Sequence, residues 1–134
     1  MDNSYPKKEK LCSKIIIDRL FSESKSVYSF PLKVFWIIET LPEEVSVQST
    51  VTVSKRKFKH AVKRNLLKRR MREAFRLNKH DLYNKVNSLN LQLALMIIYN
   101  HGEILPFKSI EEAMIKALGK ITVKLDEKYS GSGN

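Results

Sequence analysis

Basic side chains that could bind phosphate groups are concentrated in one segment of this 134-residue chain. Residues 55–79 contain twelve lysines and arginines and a single acid, Glu73, so they carry a formal charge of +11. The rest of the chain has thirteen basic and thirteen acidic residues, which cancel. A charged run is usually only a solvated face. A run of one sign in an otherwise neutral chain instead indicates a polyanionic partner.

The spacing of these residues predicts a helix over 61–79 with two distinct faces. One face is apolar and should pack on a core: Leu67, Met71, Ala74 and Phe75. The opposite face is polar: Asn65, Lys68, Arg69, Arg72, Arg76 and Lys79. An α-helix rises about 5.4 Å per turn. Cations on successive turns of one face can therefore contact the same RNA backbone. Arginine offers a planar fork for phosphate oxygens, and lysine offers a point charge.

Residue patterns typical of a catalytic or metal centre are not found in the sequence. His60, His80 and His101 have no ligand-like spacing with one another or with Cys12, so we expect no zinc site. Nor does the sequence contain a nucleophile elbow, a phosphate loop or paired carboxylates. The single cysteine indicates a reducing compartment, and no segment resembles a secretory signal or a membrane span. We therefore expect a cytoplasmic protein with no membrane partner.

The remaining hydrophobic patterns predict the elements that position the basic helix. Residues 11–24 predict a helix, 30–39 and 45–53 two strands joined by a hairpin turn at 41–44, and 89–99 an apolar central strand. Ser109 and Glu112 form a capping box that predicts the start of a last helix. We expect a flexible lead-in over 1–10, a single domain over 11–129 and a flexible tail over 130–134. The order of elements predicts a two-layer α/β (α+β) sandwich.

The basic segment resembles the signature of the bacterial ribonuclease P protein subunit. The matching stretches are Val-Ser-Lys-Arg at 53–56, Ala-Val-Lys-Arg-Asn-Leu-Leu-Lys-Arg at 61–69 and Arg-Glu-Ala-Phe-Arg at 72–76. The family pattern is Arg-Asn-Arg followed by Lys-Arg, and the chain departs from it at Leu66, where the second arginine usually stands. Neighbouring Arg70 could partly replace that cation. The resemblance extends from the first predicted helix to the last.

This resemblance implies a fold of α-β-β-β-α-β-α order with a left-handed crossover. It also implies a protein subunit of a ribonucleoprotein endonuclease that helps a catalytic RNA remove the 5′ leader from precursor tRNA. The RNA, with Mg²⁺ held mainly by RNA and substrate, would carry the chemistry, so no residue of this chain is expected to be catalytic. The helix would bind the catalytic RNA through Lys63, Arg64, Asn65, Lys68, Arg69, Arg72 and Arg76. A cleft between the first helix and the sheet would bind the leader through Ile17, Phe21, Lys33, Phe35, Lys55 and Arg56.

Alternation along the first long strand bears on the cleft. Lys33 and Phe35 share one face of the strand, opposite Val34 and Trp36. We therefore expect Trp36 in the core and Phe35 in the cleft, where an aromatic ring beside a cation can stack on a base. Two other functions remain open: a ribosomal protein or another RNA-binding module, and an endonuclease that cuts RNA without an RNA partner.

Overall fold

A computed structural model describes residues 4–130 as a mixed sheet of four strands with four helices. The elements are α1 (Lys14–Glu23), β1 (Lys25–Ser29), β2 (Leu32–Ile38), β3 (Val47–Val53), α2 (Ala61–Asn78), α3 (His80–Ser88), β4 (Leu93–Tyr99) and α4 (Phe107–Leu125). A short 3₁₀ turn, Lys7–Glu9, precedes them, and a π-helical turn, Asp126–Ser130, follows them. The predicted mixed α/β class is confirmed. Among the described residues, no helix is both long and apolar enough to cross a membrane.

The strands lie in the order β1-β2-β4-β3. β1 and β2 form an antiparallel hairpin, β2 pairs antiparallel with β4, and β3 pairs parallel with β4. The predicted hairpin turn at 41–44 is therefore wrong, since β4 lies between the two strands that this turn connects. β4 takes the central place because it is apolar on both faces and needs cover on both. α2 and α3 form the crossover connection from β3 to β4. The left-handedness of this connection stays a prediction.

Helices cover the two sides of the sheet unequally. α2, α3 and α4 pack on one side, and the predicted apolar residues of α2 are completely buried there: Leu67, Met71, Ala74 and Phe75. On the other side α1 packs alone, through Ile16 and Leu20, against Ala94 and Met96 of β4. One helix cannot cover four strands, so part of this face stays open. Phe21 and Phe35, which are predicted to line the cleft, lie on this side.

Two helix starts differ from the prediction. α4 begins at Phe107 after Pro106, without a side-chain cap, so the capping box of Ser109 and Glu112 is wrong. Proline ends the extended segment before a helix and cannot donate a backbone hydrogen bond, so it takes the start position in place of Ser109. α1 begins at Lys14, where Ser13 accepts a hydrogen bond from the Ile16 amide at 3.3 Å.

The N-terminal segment, which the sequence predicts to be loose, lies against the edge of β3. The Tyr5 hydroxyl is 2.6 Å from the Ser49 hydroxyl, and Lys10 forms a parallel bridge with Ser49. Gln48 donates to the carbonyl of Lys8 at 2.9 Å. These contacts help to bury Gln48 and Ser49. The predicted tail lies outside the described residues except for Ser130.

Candidate nucleic-acid interface

α2 presents a row of polar side chains to solvent, opposite its buried stripe. We define the cation row as Asn65, Lys68, Arg69, Arg72 and Arg76. Asn65, Arg69 and Arg72 are exposed, and Lys68 and Arg76 are half-buried. Lys68, Arg69 and Arg72 have no hydrogen-bond or ion-pair partner within residues 4–130. Their charges are therefore available to a polyanion along about one turn of the helix.

Arg76, at the end of the row, is partly neutralised within α2. Its Nε and Nη2 atoms donate to the two carboxylate oxygens of Glu73 at 3.0 and 2.7 Å. Hydrogen bonding to the Arg76 guanidinium lowers the pKa of Glu73, so this carboxylate is charged at neutral pH. The pair is exposed and contributes little to stability. It removes most of one cation from the row, as the i,i+3 spacing of the two residues predicts.

Lys63 and Arg64, predicted to bind the same RNA, lie outside the row. Lys63 is exposed but lies about 200° around the helix from Asn65, beside Lys57 and Lys59 in the wall of a cavity. The Arg64 guanidinium folds back and donates to the carbonyls of Phe58 and Lys59 at 2.7 and 2.9 Å. Arg64 therefore holds the loop at the start of α2.

Lys79, placed on the solvent face by the helical pattern, is buried, so this part of the prediction is wrong. Its side chain is 3% exposed, and its ammonium is 2.8 Å from the Glu9 carboxylate. It also donates to the carbonyl of Ser4. The N-terminal segment covers this end of α2, and a helical pattern contains no information about a segment 70 residues away.

Leu66, the departure from the family pattern, is half-buried at the edge of α2. One turn earlier, Val62 is 81% exposed, so this edge of the helix is apolar and open to solvent. The Arg70 guanidinium donates to the carbonyl of Leu105 at 2.6 Å, and its partial replacement of the missing cation stays a prediction. Arg70 therefore ties α2 to the loop before α4.

Residues predicted to form the cleft lie on the side of the sheet that α1 only partly covers. Phe21 of α1 is 65% exposed, and its ring centroid lies 6.5 Å from that of Phe35 on β2. Ile17 and Ile98 extend the apolar wall beside them. Trp36 is 3% exposed on the opposite side, so the face assignment from strand alternation is confirmed. Accessible aromatic rings beside an apolar wall suit unstacked bases.

Cations border the open end of the cleft. The Lys33 ammonium lies 5.2 Å from the centroid of the Phe35 ring. Lys55 and Arg56 are exposed in the loop after β3, where the Ser54 hydroxyl accepts from the Arg56 amide at 3.1 Å. β2 and β3 lie on either side of β4, and the C-terminal end of β3 is level with Lys33 of β2. The loop begins at that end of β3. Arg56 lines the cavity that also contains Lys63 at the start of α2, and the role of Lys55 and Arg56 in binding the leader stays a prediction.

One aromatic residue of this face was not predicted. Tyr28 pairs directly with Lys33 across the β1–β2 hairpin and is 49% exposed. Directly paired residues share a face of the sheet, so Tyr28 extends the row of aromatic and cationic side chains. Val27 and Ser29 are buried and Tyr28 between them is exposed. Alternation along β1 was therefore the signal that could have placed Tyr28 on this face. It was missed because β1 is short and rich in serine.

The interface contains few groups suited to metal binding. Within residues 4–130, no three His, Cys, Asp or Glu side chains are grouped as ligands for a metal ion. Glu23 and Glu39, close to α1, are both engaged by Arg19. The arrangement can bind phosphates and bases, and its described residues offer no donor set for a resident metal.

Comparison with known proteins identifies relatives of the whole domain. The sequence model of the family described as Ribonuclease P matches residues 5–122. The Ribonuclease P protein component of Porphyromonas gingivalis is 33% identical over 115 residues, which is 86% of this chain and 84% of that protein. The one from Chlorobium phaeobacteroides is 30% identical over 129 residues, covering 89% and 88%.

Solved structures show the same fold. The Staphylococcus aureus RNase P protein superimposes with a TM-score of 0.65 at 20% identity, covering 84% of this chain and 94% of that one. The RNase P protein from Thermotoga maritima gives a TM-score of 0.63 at 21% identity, covering 84% and 96%. At this level of identity the structures support the fold alone, while the family match rests on the sequence relatives.

Proposed function

Since this chain belongs to the ribonuclease P protein family, we propose that it assists a catalytic RNA in removing the 5′ leader from precursor tRNA in the cytoplasm. The cation row binds the catalytic RNA, and the cleft between α1 and the sheet binds the leader. The observation that carries this proposal is the position of the two surfaces. They belong to helices packed on opposite sides of one sheet, so two RNA segments can be bound at once.

The two surfaces differ in chemistry, as their proposed ligands do. The cation row combines Lys68, Arg69 and Arg72 with almost no exposed aromatic surface, which suits the phosphates of a folded RNA. The cleft combines the exposed Phe21 ring and the half-buried Phe35 ring with Lys33, which suits a single strand with unstacked bases. Stacking tolerates any base, so this cleft accepts leaders of different sequence.

The chemical step is assigned to the RNA. In this proposal Mg²⁺ is held mainly by the RNA and the substrate. The chain's own contribution is to bind and orient the precursor. Holding the leader in the cleft while the RNA holds the tRNA body reduces the entropy cost of reaching the productive geometry.

Purified protein should leave precursor tRNA intact until the catalytic RNA is added. Cleavage is measured with protein alone, with RNA alone and with both, at low Mg²⁺ concentration. We expect rapid cleavage only in the complete mixture, because the protein supplies binding and the RNA supplies the chemistry. Cleavage by rigorously nuclease-free protein alone would contradict the proposal and favour a self-sufficient endonuclease. Unchanged cleavage on addition of the protein would favour an unrelated RNA-binding module.

Phe35→Ala should weaken binding of leader-bearing precursor by about 1–3 kcal/mol, the value of one base stacked on an aromatic ring. Binding of mature tRNA and assembly with the catalytic RNA should not change, since Phe35 is remote from α2. Ile115→Ala is the control, because it removes an apolar side chain from a different surface, where Ile115 is 50% exposed on α4. Equal losses for precursor and mature tRNA, or unfolding of the variant, would show that Phe35 does not bind the leader.

A further inference from the structure

A groove at the free edge of β1 lies beyond both the cation row and the cleft. β1 is an edge strand of the sheet, and the groove lies between it and α4. Its volume is about 520 Å³, within the roughly 300–1,000 Å³ that ligand pockets usually occupy. Residues 28–31 form one wall, and Glu112, Lys116 and Lys120 of α4 contribute to the other. The groove therefore has the size of a binding site, and its lining decides what it can bind.

Two aromatic side chains are exposed at the β1 wall of this groove. Tyr28, near the end of β1, and Phe30, in the turn that follows, are each about half exposed. The Phe30 ring contacts the His101 ring, with centroids 4.8 Å apart, and this contact positions the Phe30 ring without burying it. Large apolar surface left open beside a groove is typical of an interaction site. An aromatic ring in such a place offers a face on which a base can stack.

The α4 wall adds positive charge. Lys116 and Lys120 lie one turn apart on the same face of α4, and both are exposed. The Lys120 ammonium donates to the carbonyl of Tyr28 at 2.7 Å. An ammonium has three hydrogens, so two remain for other acceptors. Glu112 is the single acid among the described lining residues, so the lining is positive as a whole. Aromatic rings next to cations are the combination that binds single-stranded nucleic acid.

The groove continues the surface of the cleft around the edge of the sheet. On the cleft side, the Tyr28 side chain lies next to that of Lys33, its direct partner across the β1–β2 hairpin. The Lys33 ammonium in turn lies 5.2 Å from the centroid of the Phe35 ring. Tyr28 also lines the groove, and no further strand lies outside β1 in the sheet of the described residues. An RNA strand can therefore pass from Phe35 over Lys33 and Tyr28 into the groove.

We propose that the groove binds a second part of the single-stranded leader, with a base stacked on Phe30 and the phosphate backbone against Lys116 and Lys120. This inference rests on the proposed function, because the leader reaches the groove from the cleft. The groove contacts the leader and not the catalytic RNA. Stacking and phosphate contacts do not read sequence, so the groove adds affinity according to the length of the leader.

The position of α2 gives the direction in which the leader runs. α2 contacts β3, and β3 and β1 are the two edges of the sheet. In the proposed complex, the catalytic RNA on the cation row and the tRNA body that it holds are therefore nearer to β3 than to β1. A leader that crosses the sheet from that side meets the cleft first and the groove last. Only a long leader reaches Phe30.

Precursor tRNAs that carry a short or a long leader test the groove, the short leader ending within the cleft. The wild type should bind the long leader more tightly than the short one. Phe30→Leu keeps an apolar side chain but removes the ring, so it should reduce affinity for the long leader roughly tenfold, the effect of one stacked base, and leave affinity for the short leader unchanged. Phe30→Trp should restore the long-leader affinity. Tyr129→Leu is the control, because it removes an exposed aromatic ring from the C-terminal turn, and it should bind both leaders as the wild type does.

The groove is overturned as a leader site if the wild type does not prefer the long leader, or if Phe30→Leu keeps that preference. An equal loss for both leaders, or an equal loss in Tyr129→Leu, would overturn it too. A wild type that binds precursor and mature tRNA equally would contradict the proposed leader cleft. In that case an unstructured RNA oligonucleotide replaces the precursor. A loss of affinity in Phe30→Leu that Tyr129→Leu does not share would then still identify a site for single-stranded RNA, and equal binding by both variants would exclude one.

Discussion

Replacing Arg69 and Arg72 together by alanine should reduce the affinity for the catalytic RNA strongly at low salt and much less at high salt. Each arginine that neutralises a phosphate releases a counterion from the RNA, so the logarithm of the binding constant falls linearly with the logarithm of the salt concentration. Each lost contact should lower that slope by roughly 0.7–0.9. The double variant should therefore have a slope smaller by roughly 1.4–1.8.

Arg69 and Arg72 are the appropriate pair because both are exposed and have no hydrogen-bond or ion-pair partner among residues 4–130. Their removal should change the free energy of unfolding by no more than about 0.5 kcal/mol each, as is usual for surface residues. Arg76 is a poorer choice, since it is already paired with Glu73. Arg64 is also poorer, because its guanidinium holds the loop before α2 and its loss would disturb local structure.

The matched control is Lys108→Ala/Lys116→Ala, which removes the same charge from two exposed positions on α4. It separates a specific contact from the general effect of a net charge of +11. RNA binding is measured for the wild type and both variants over one salt series. A slope that does not change in the Arg69→Ala/Arg72→Ala variant would exclude these residues as phosphate ligands. Equal reductions in both variants would assign the effect to net charge alone.

The sequence predicted the two-faced character of α2 well, because burial of a surface helix follows its 3.6-residue period. All four apolar residues assigned to the core are buried there. The exposed face was less predictable. Arg64 and Arg70 donate to backbone carbonyls of neighbouring loops, and Lys79 is covered by the N-terminal segment. Such contacts depend on which distant segment packs nearby, and the spacing of residues along one helix does not encode this.

The sequence predicted the sheet only in part as well. Strand alternation placed Phe35 and Trp36 on the correct faces, because successive side chains point to opposite sides. The pairing of the strands was predicted wrongly, since consecutive strands are usually neighbours and 41–44 resembles a hairpin turn. The continuous apolar run of β4 was the contrary signal, because a strand buried on both faces belongs at the centre of the sheet.

The contact that covers Lys79 also ties the N-terminal segment to the domain. The Lys79 ammonium is 2.8 Å from Glu9 Oε1, which also accepts from the Tyr83 hydroxyl at 2.5 Å. Burial, with the hydrogen bond to Glu9, raises the pKa of Tyr83 above its usual range, so the hydroxyl stays protonated and donates. The ammonium also lies 5.9 Å from the Tyr5 ring centroid and 5.0 Å from that of Tyr83.

Glu9→Gln should lower the free energy of unfolding by about 3–5 kcal/mol, because it leaves the buried Lys79 ammonium without a counter-charge. Glutamine keeps the shape of the side chain, so the change isolates the charge. Lys79→Met in the Glu9→Gln background should restore most of the loss, since a buried ion pair replaced by uncharged side chains of similar volume is often neutral or stabilising. Asp126→Asn, which breaks the more exposed pair with Lys85, should cost no more than about 1 kcal/mol.

Urea unfolding of these variants measures the differences directly, and the dependence of the free energy on urea concentration reports whether the N-terminal segment stays packed. If the segment detaches in Glu9→Gln, water reaches Lys79, so the loss in free energy of unfolding is smaller than about 3 kcal/mol. The dependence of that free energy on urea concentration also becomes weaker, because unfolding then exposes less surface. A loss below about 1 kcal/mol with an unchanged slope would mean that the pair behaves as an exposed one. In that case residues 4–10 are the loose lead-in that their sequence suggests, and the end of α2 is held by its apolar face alone.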